Sequence, residues 1–173
     1  MNQSPFDSLL PPQMAEKAAE VGVGKATKEP LKAILLAVTG GVHIGIAFVF
    51  YTTVTTGTGD MAWGMARLVG GLAFSLGLIL VVITGSELFT SSVLTVVAKA
   101  SGKISWWNLC SNWTLVYIGN LLGALLLVAC MFTTRQFLFA DGAVGINTMV
   151  IAQHKLHHSF SQAAALGIMC NLL

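Results

Sequence analysis

Charge is scarce in this sequence. Only 9% of the 173 residues are Asp, Glu, Lys or Arg, while 55% are hydrophobic, and the mean hydropathy is +0.78. A soluble domain carries about a quarter charged residues, so there is too little polar surface to cover a globule in water. Cysteine is sparse too. Cys110, Cys130 and Cys170 lie in or beside apolar runs without metal-ligand spacing, which speaks against a disulfide framework and predicts buried thiols acting as small hydrophobes. Enzyme signatures are missing as well: there is no P-loop, GxSxG, HExxH or redox CxxC. No catalytic residue, metal or cofactor is expected, and no nucleic-acid partner. Residues 1–29 lack an apolar h-region and a small-residue cleavage site, so insertion through the first spanning helix is expected.

What the chain does have is hydrophobic length, and the expectation is an all-α integral membrane protein. Residues 1–30 read as an N-terminal segment with a turn at Pro11-Pro12 and a short amphipathic helix over Gln13–Val21. Met14, Ala18 and Val21 share one of its faces, and Glu16, Lys17 and Glu20 the other. Residues 31–54 form a first span of sufficient length. A second apolar run, 68–98, is too long for one simple span, and a third covers 106–132, opening on Trp106-Trp107 at an interface. A polar connection, 133–158, leads to a fourth run, 159–173, that is still apolar at Leu173 and reads as a truncated helix. Ser159 and Gln162 form a capping box for it. Lys17, Lys25, Lys28, Lys32, Lys99 and Lys103 fall on one side of the membrane; Arg67, Arg135 and Lys155 fall on the other. The positive-inside rule then places the N-terminus in the cytoplasm.

The second run is interrupted at 85–92 by GSELFTSS, where Glu87, Thr90, Ser91 and Ser92 put four polar side chains into six residues. Charge or irregular backbone at membrane depth survives only inside protein or along a water-filled path. Gly85 and the hydroxyl cluster permit a helix break, whose new N-terminus would favour an anion. Glu87 would then cap free N–H groups or anchor the loop to a neighbour. A kinked helix with a snorkelling or neutral glutamate is the competing reading. Elsewhere, His154, His157 and His158 beside Lys155 suit a basic rim that attracts anions better than a metal site, since no carboxylate or cysteine accompanies them. His43 reads as a satisfied packing residue.

These segments carry a family resemblance. PFDSLLPPQMAEKAAEVGVGKATKEPLK, ITGSELFTSS, NWTLVYIGNLLGAL and AQHKLHHSF resemble the formate/nitrite transporter family, most closely its formate channel branch, over essentially the whole chain. Many members have an aspartate where this chain has Glu87. The resemblance implies an aquaporin-like protomer of six helices, built from two inverted three-helix repeats with broken second and fifth helices, and assembled as a homopentamer with one pore per protomer. Only the first repeat and the start of the second are present here. The fifth helix and the pore histidine that the family carries beyond the fourth helix are absent.

It further implies a channel for formate across the bacterial inner membrane, passive or proton-linked and gated by pH, with the N-terminal segment at the cytoplasmic mouth and 133–158 in the periplasm. Leu78 would form the cytoplasmic constriction, with Phe74, Leu88 and Phe89 narrowing the path. Thr90 and Asn171 would contact the anion, Lys155 would stand at the periplasmic approach, and Gly85, Glu87, Ser91 and Ser92 would build the helix-break loop. A narrow Leu/Phe ring passes only a largely dehydrated or protonated species, which suits formate. Nitrite or hydrosulfide is the alternative cargo, and a non-transporting fragment is the alternative status of the chain.

Overall fold

The computed structural model describes residues 9–172, with side chains described for 9–170. In chain order the helices are α1 (Pro11–Ala26), α2 (Pro30–Val54), α3 (Trp63–Thr84), α4 (Phe89–Ser92), α5 (Thr95–Ala100), α6 (Trp106–Thr134), α7 (Ala143–Leu156) and α8 (Phe160–Leu172), with a 3-10 turn at Gln136–Leu138 before α7. Among the described residues α2, α3 and α6 are long and apolar enough to cross a membrane. Their starts are set locally. Proline opens α1 and α2, where its missing N–H costs nothing. Ser105 caps α6 by accepting from the Asn108 N–H at 3.0 Å.

α2 is the central helix, packed against α3 on one side and α6 on the other. The α2–α6 contact is backbone on backbone. A Cβ added to Gly41 would sit 2.2 Å from the Asn120 carbonyl oxygen, and one added to Gly123 would sit 2.1 Å from that of Val38. In lipid, where burying apolar surface between helices gains little, such close approach supplies the attraction.

Several boundaries differ from the sequence-based expectation. The second span begins at Trp63 rather than Leu68. Arg67 marked the boundary in sequence, yet its guanidinium lies over the Trp63 ring, 5.4 Å from the centroid, and donates to the Tyr51 hydroxyl, so the charge is accommodated inside the helix. The interruption is shorter than 85–92: backbone leaves the helix at 85–88 and resumes at Phe89, which puts Ser91 and Ser92 inside α4. The connection 133–158 is largely helical. Its helix α7 is fastened to the end of α2 by Asn147, whose Nδ2 donates to the Thr52 carbonyl at 3.0 Å and to the Thr55 and Thr56 hydroxyls.

α1 is longer than Gln13–Val21 and buries a different face. Ala19, Gly22 and Ala26 are buried against α5, while Met14 and Val21 stay exposed. The approach is too close for large side chains, since a Cβ on Gly22 would meet the Leu94 carbonyl oxygen at 2.9 Å. All three cysteines are exposed rather than buried. Ser159 and Gln162 cap α8, with the Ser159 N–H donating to Gln162 Oε1 at 2.9 Å.

Candidate functional site

The break begins with Gly85, whose φ of +65° only glycine adopts without strain. Ser86 N–H then reaches the Val81 carbonyl at 3.1 Å and Gly85 N–H that of Val82 at 3.3 Å, the paired bonds of a Schellman ending. From there the chain turns onto α2. The Glu87 N–H donates to the Leu36 carbonyl at 3.0 Å, and Gly40 leaves the space this needs, because a Cβ there would lie 2.4 Å from the Glu87 carbonyl oxygen.

Two side-chain devices hold this loop. The first is Asn120, half-buried on α6. Its Nδ2 donates to the carbonyls of Ala37 and Glu87, both at 2.8 Å, and its Oδ1 accepts from the Phe89 N–H at 2.9 Å. One amide thereby ties α2, the loop and the resumed helix together. It also takes the first N–H at the break, one of those expected to stay free for an anion. The second device is Glu87, only 2% exposed, which forms ion pairs with Lys25 at the end of α1 and Lys28 in the α1–α2 elbow. Lys25 also donates to the Ser91 hydroxyl at 3.3 Å. An isolated carboxylate in this position would be prohibitively costly. Of the two roles open to Glu87, the structure therefore assigns the anchor, and the neighbour it anchors to is the N-terminal segment.

The hydroxyls near the break separate by partner. Thr84, Ser91, Ser92 and Thr95 donate to backbone carbonyls of the preceding turn, and Ser86 pairs with the Thr39 and Thr84 hydroxyls and with His43 Nδ1 at 3.3 Å. His43 is thus a bonded packing residue, as expected. Thr90 differs from them all: it is exposed, and its hydroxyl has no hydrogen-bond partner among the described residues.

The expected constriction residues are distributed over three environments. Phe74 and Leu78 lie one turn apart on α3, Phe74 half-buried and Leu78 57% exposed. Leu88 leans onto α2 at Gly40. The Phe89 ring is edge-on to Trp113 and Tyr117 of α6, with centroids 5.9 and 5.6 Å away, which fixes its orientation. Trp113 in turn donates to the Ser92 carbonyl at 3.1 Å and the Thr95 hydroxyl at 3.0 Å. Lys155 lies apart from the break. It stands on α7 toward the other end of α2, its ammonium 5.5 Å from the Phe48 centroid, near the edge-on pair His154–His158. No group of three metal-ligating side chains occurs among the described residues. The side chain of Asn171 lies outside the described residues.

Among the described residues, helices of membrane length with one broken span define the class of helical membrane proteins. Comparison with known proteins narrows this. The formate/nitrite transporter family model matches residues 12–173. The chain is 58% identical over 170 residues to the formate channel FocA of Escherichia coli K12, a match covering 98% of this chain and 60% of that protein. It is 43% identical to FocA of Haemophilus influenzae, over 96% of this chain and 58% of the relative. The solved structure of a pentameric formate channel with formate bound aligns with a TM-score of 0.78 at 65% identity, covering 82% of this chain and 56% of that one. This chain belongs to the formate/nitrite transporter family. It spans about 60% of the length of these curated relatives.

Proposed function

We propose that this chain supplies the first repeat of a protomer that conducts formate, as a channel rather than an enzyme, across a bacterial inner membrane. The observation that carries this reading is Thr90. Its hydroxyl is the one left free, among the described residues, in a group whose other hydroxyls are bonded, on the short helix that follows a loop fixed from two sides. A donor held in place at membrane depth compensates part of the desolvation of a small anion. Phe74, Leu78, Leu88 and Phe89 narrow the same path in this reading, Asn171 is a second contact, and Lys155 with His154, His157 and His158 gathers anions at the periplasmic mouth. Gly85 and Glu87 shape the break, and Ser91 and Ser92 belong to the short helix α4 that carries Thr90. The N-terminus faces the cytoplasm, and protomers associate as homopentamers, the assembly named for the aligned formate channel.

The test is formate flux into proteoliposomes holding the full-length protein. Thr90→Ala is expected to lower flux about tenfold or more, the size of one charge-assisted hydrogen bond, while Thr90→Ser retains most of it. Unchanged flux in Thr90→Ala would remove the hydroxyl from the mechanism. Competition by nitrite and hydrosulfide in the same vesicles measures the preference among the family's cargoes.

A further inference from the structure

We propose that His43 positions the helix break by donating a proton from Nδ1 to the Ser86 hydroxyl, and that this bond holds whether the ring is neutral or charged. The role rests on the reading that the break shapes the formate path. His43 stands midway along α2, and Ser86 is the buried second residue of the break.

The supply of protons sets the direction of the bond. Three hydroxyls and one ring nitrogen meet here in five contacts of 3.3 Å or less. Thr39 reaches the Leu36 carbonyl at 2.8 Å and Thr84 that of Leu80 at 2.7 Å. Ser86 Oγ lies 2.9 Å from Thr39 Oγ1, 2.7 Å from Thr84 Oγ1 and 3.3 Å from His43 Nδ1. Each hydroxyl carries one proton, and a carbonyl only accepts. With Nδ1 bare, three protons serve at most three of the five contacts. A proton on Nδ1 serves a fourth. The lengths agree: 2.7 and 2.9 Å suit O–H···O bonds, whereas 3.3 Å lies beyond that range and nearer to N–H···O. The Ser86 proton therefore goes to a threonine, and Ser86 Oγ accepts from His43.

Once Nδ1 carries the proton, a further one enters only at Nε2. It leaves the Nδ1–H in place and makes it a charge-assisted donor. Were Nδ1 the acceptor, the same proton would break the contact. Among the described residues the charged groups of the neighbouring elements have partners of their own. Glu87, next in the break, is paired with Lys25 and Lys28. The one charged residue of α3, Arg67, lies over Trp63. α6 has no charged residue, and its Tyr117 packs on Phe89. On α7, Lys155 lies over Phe48 and His154 against His158.

The test is nitrogen NMR of the full-length protein in bilayers, with labelled histidine and the His43 signals assigned by their loss in His43→Asn. The pH is raised until the His43 ring is neutral, and the spectrum then reports which nitrogen keeps its proton. Nδ1 is expected to keep it, and acidification to add a proton at Nε2 without loss of the Nδ1–H. Ser86→Ala is expected to abolish the preference for Nδ1. A neutral ring protonated at Nε2, or a Ser86→Ala spectrum like the parent's, overturns the proposal. Formate flux into proteoliposomes tests the positioning role. Asparagine places an amide nitrogen where Nδ1 stands and does not titrate, so His43→Asn is expected to keep flux within about twofold of the parent. His43→Leu, which has no donor, is expected to lower flux about fivefold, the size of one hydrogen bond. Flux unchanged in His43→Leu, or lowered equally in both variants, overturns the positioning role. A parent that carries no formate overturns the conduction reading instead, while the spectra still decide the bond.

Discussion

At the scale of single residues, the asparagines carry more of this structure than their number suggests. Asn112, Asn120 and Asn147 each join elements far apart in sequence, and each donates to a backbone carbonyl of another element. Asn120 is the most demanding, because its removal strands the Phe89 N–H together with the Glu87 carbonyl. Each such group costs about 1–3 kcal/mol when buried without a partner. Asn120→Leu is accordingly expected to destabilise the protein by about 3 kcal/mol and to raise the chemical reactivity of a cysteine introduced at Thr90. Thermal unfolding and thiol labelling measure the two effects, and labelling unchanged from the parent would show that Asn120 does not set the loop. A lone asparagine, whether in an apolar span like Asn112 and Asn120 or in a connection like Asn147, gives no periodic pattern that would mark it. The available signal was energetic: an amide at membrane depth needs a partner.

At the scale of elements, hydropathy located α2 and α6 within a few residues because each is a single apolar run whose length matches the bilayer. Gly85 marked the end of α3 for a similar reason, since its backbone conformation is close to unique to glycine. The sequence signal is weakest where packing is made of small residues. The buried stripe of α1 is Ala19, Gly22 and Ala26, which carries little hydrophobic signal, so the larger Met14 and Val21 suggested the wrong face. Glu87 was visible as an anomaly, but its partners sit 59 and 62 positions away and no local rule connects them. The pairing makes a specific energetic prediction. Lys25→Ala or Lys28→Ala alone leaves Glu87 one counter-charge, whereas the double substitution leaves a buried carboxylate uncompensated, at roughly 3–5 kcal/mol. The double variant is expected to lose more stability than the two singles together, and adding Glu87→Gln should recover part of the loss. Additive losses in a thermal-unfolding cycle would mean that the two lysines do not share one carboxylate.

At the scale of the whole molecule, the positive charges sort by end. The α1–α2 elbow and the α5–α6 turn carry the lysines, while Arg67, Arg135 and Lys155 occupy the opposite end with α7. Cysteines introduced at Lys103 and Asp141 are expected to react with a membrane-impermeant maleimide from opposite sides, Lys103→Cys only after the cytoplasmic face is opened. Labelling of Lys103→Cys in intact cells would reverse the proposed orientation.

The ion pairs of Glu87 also have a consequence in time. A ribosome delivers the chain from its N-terminus, so α1, the elbow and α2 are made before the span that contains the carboxylate. Lys25 and Lys28 are therefore already waiting when Glu87 leaves the translocon, and the loop can fold back onto α2 as soon as it emerges. A chain permuted so that α1 came last would have to expose a bare carboxylate to lipid until synthesis ended.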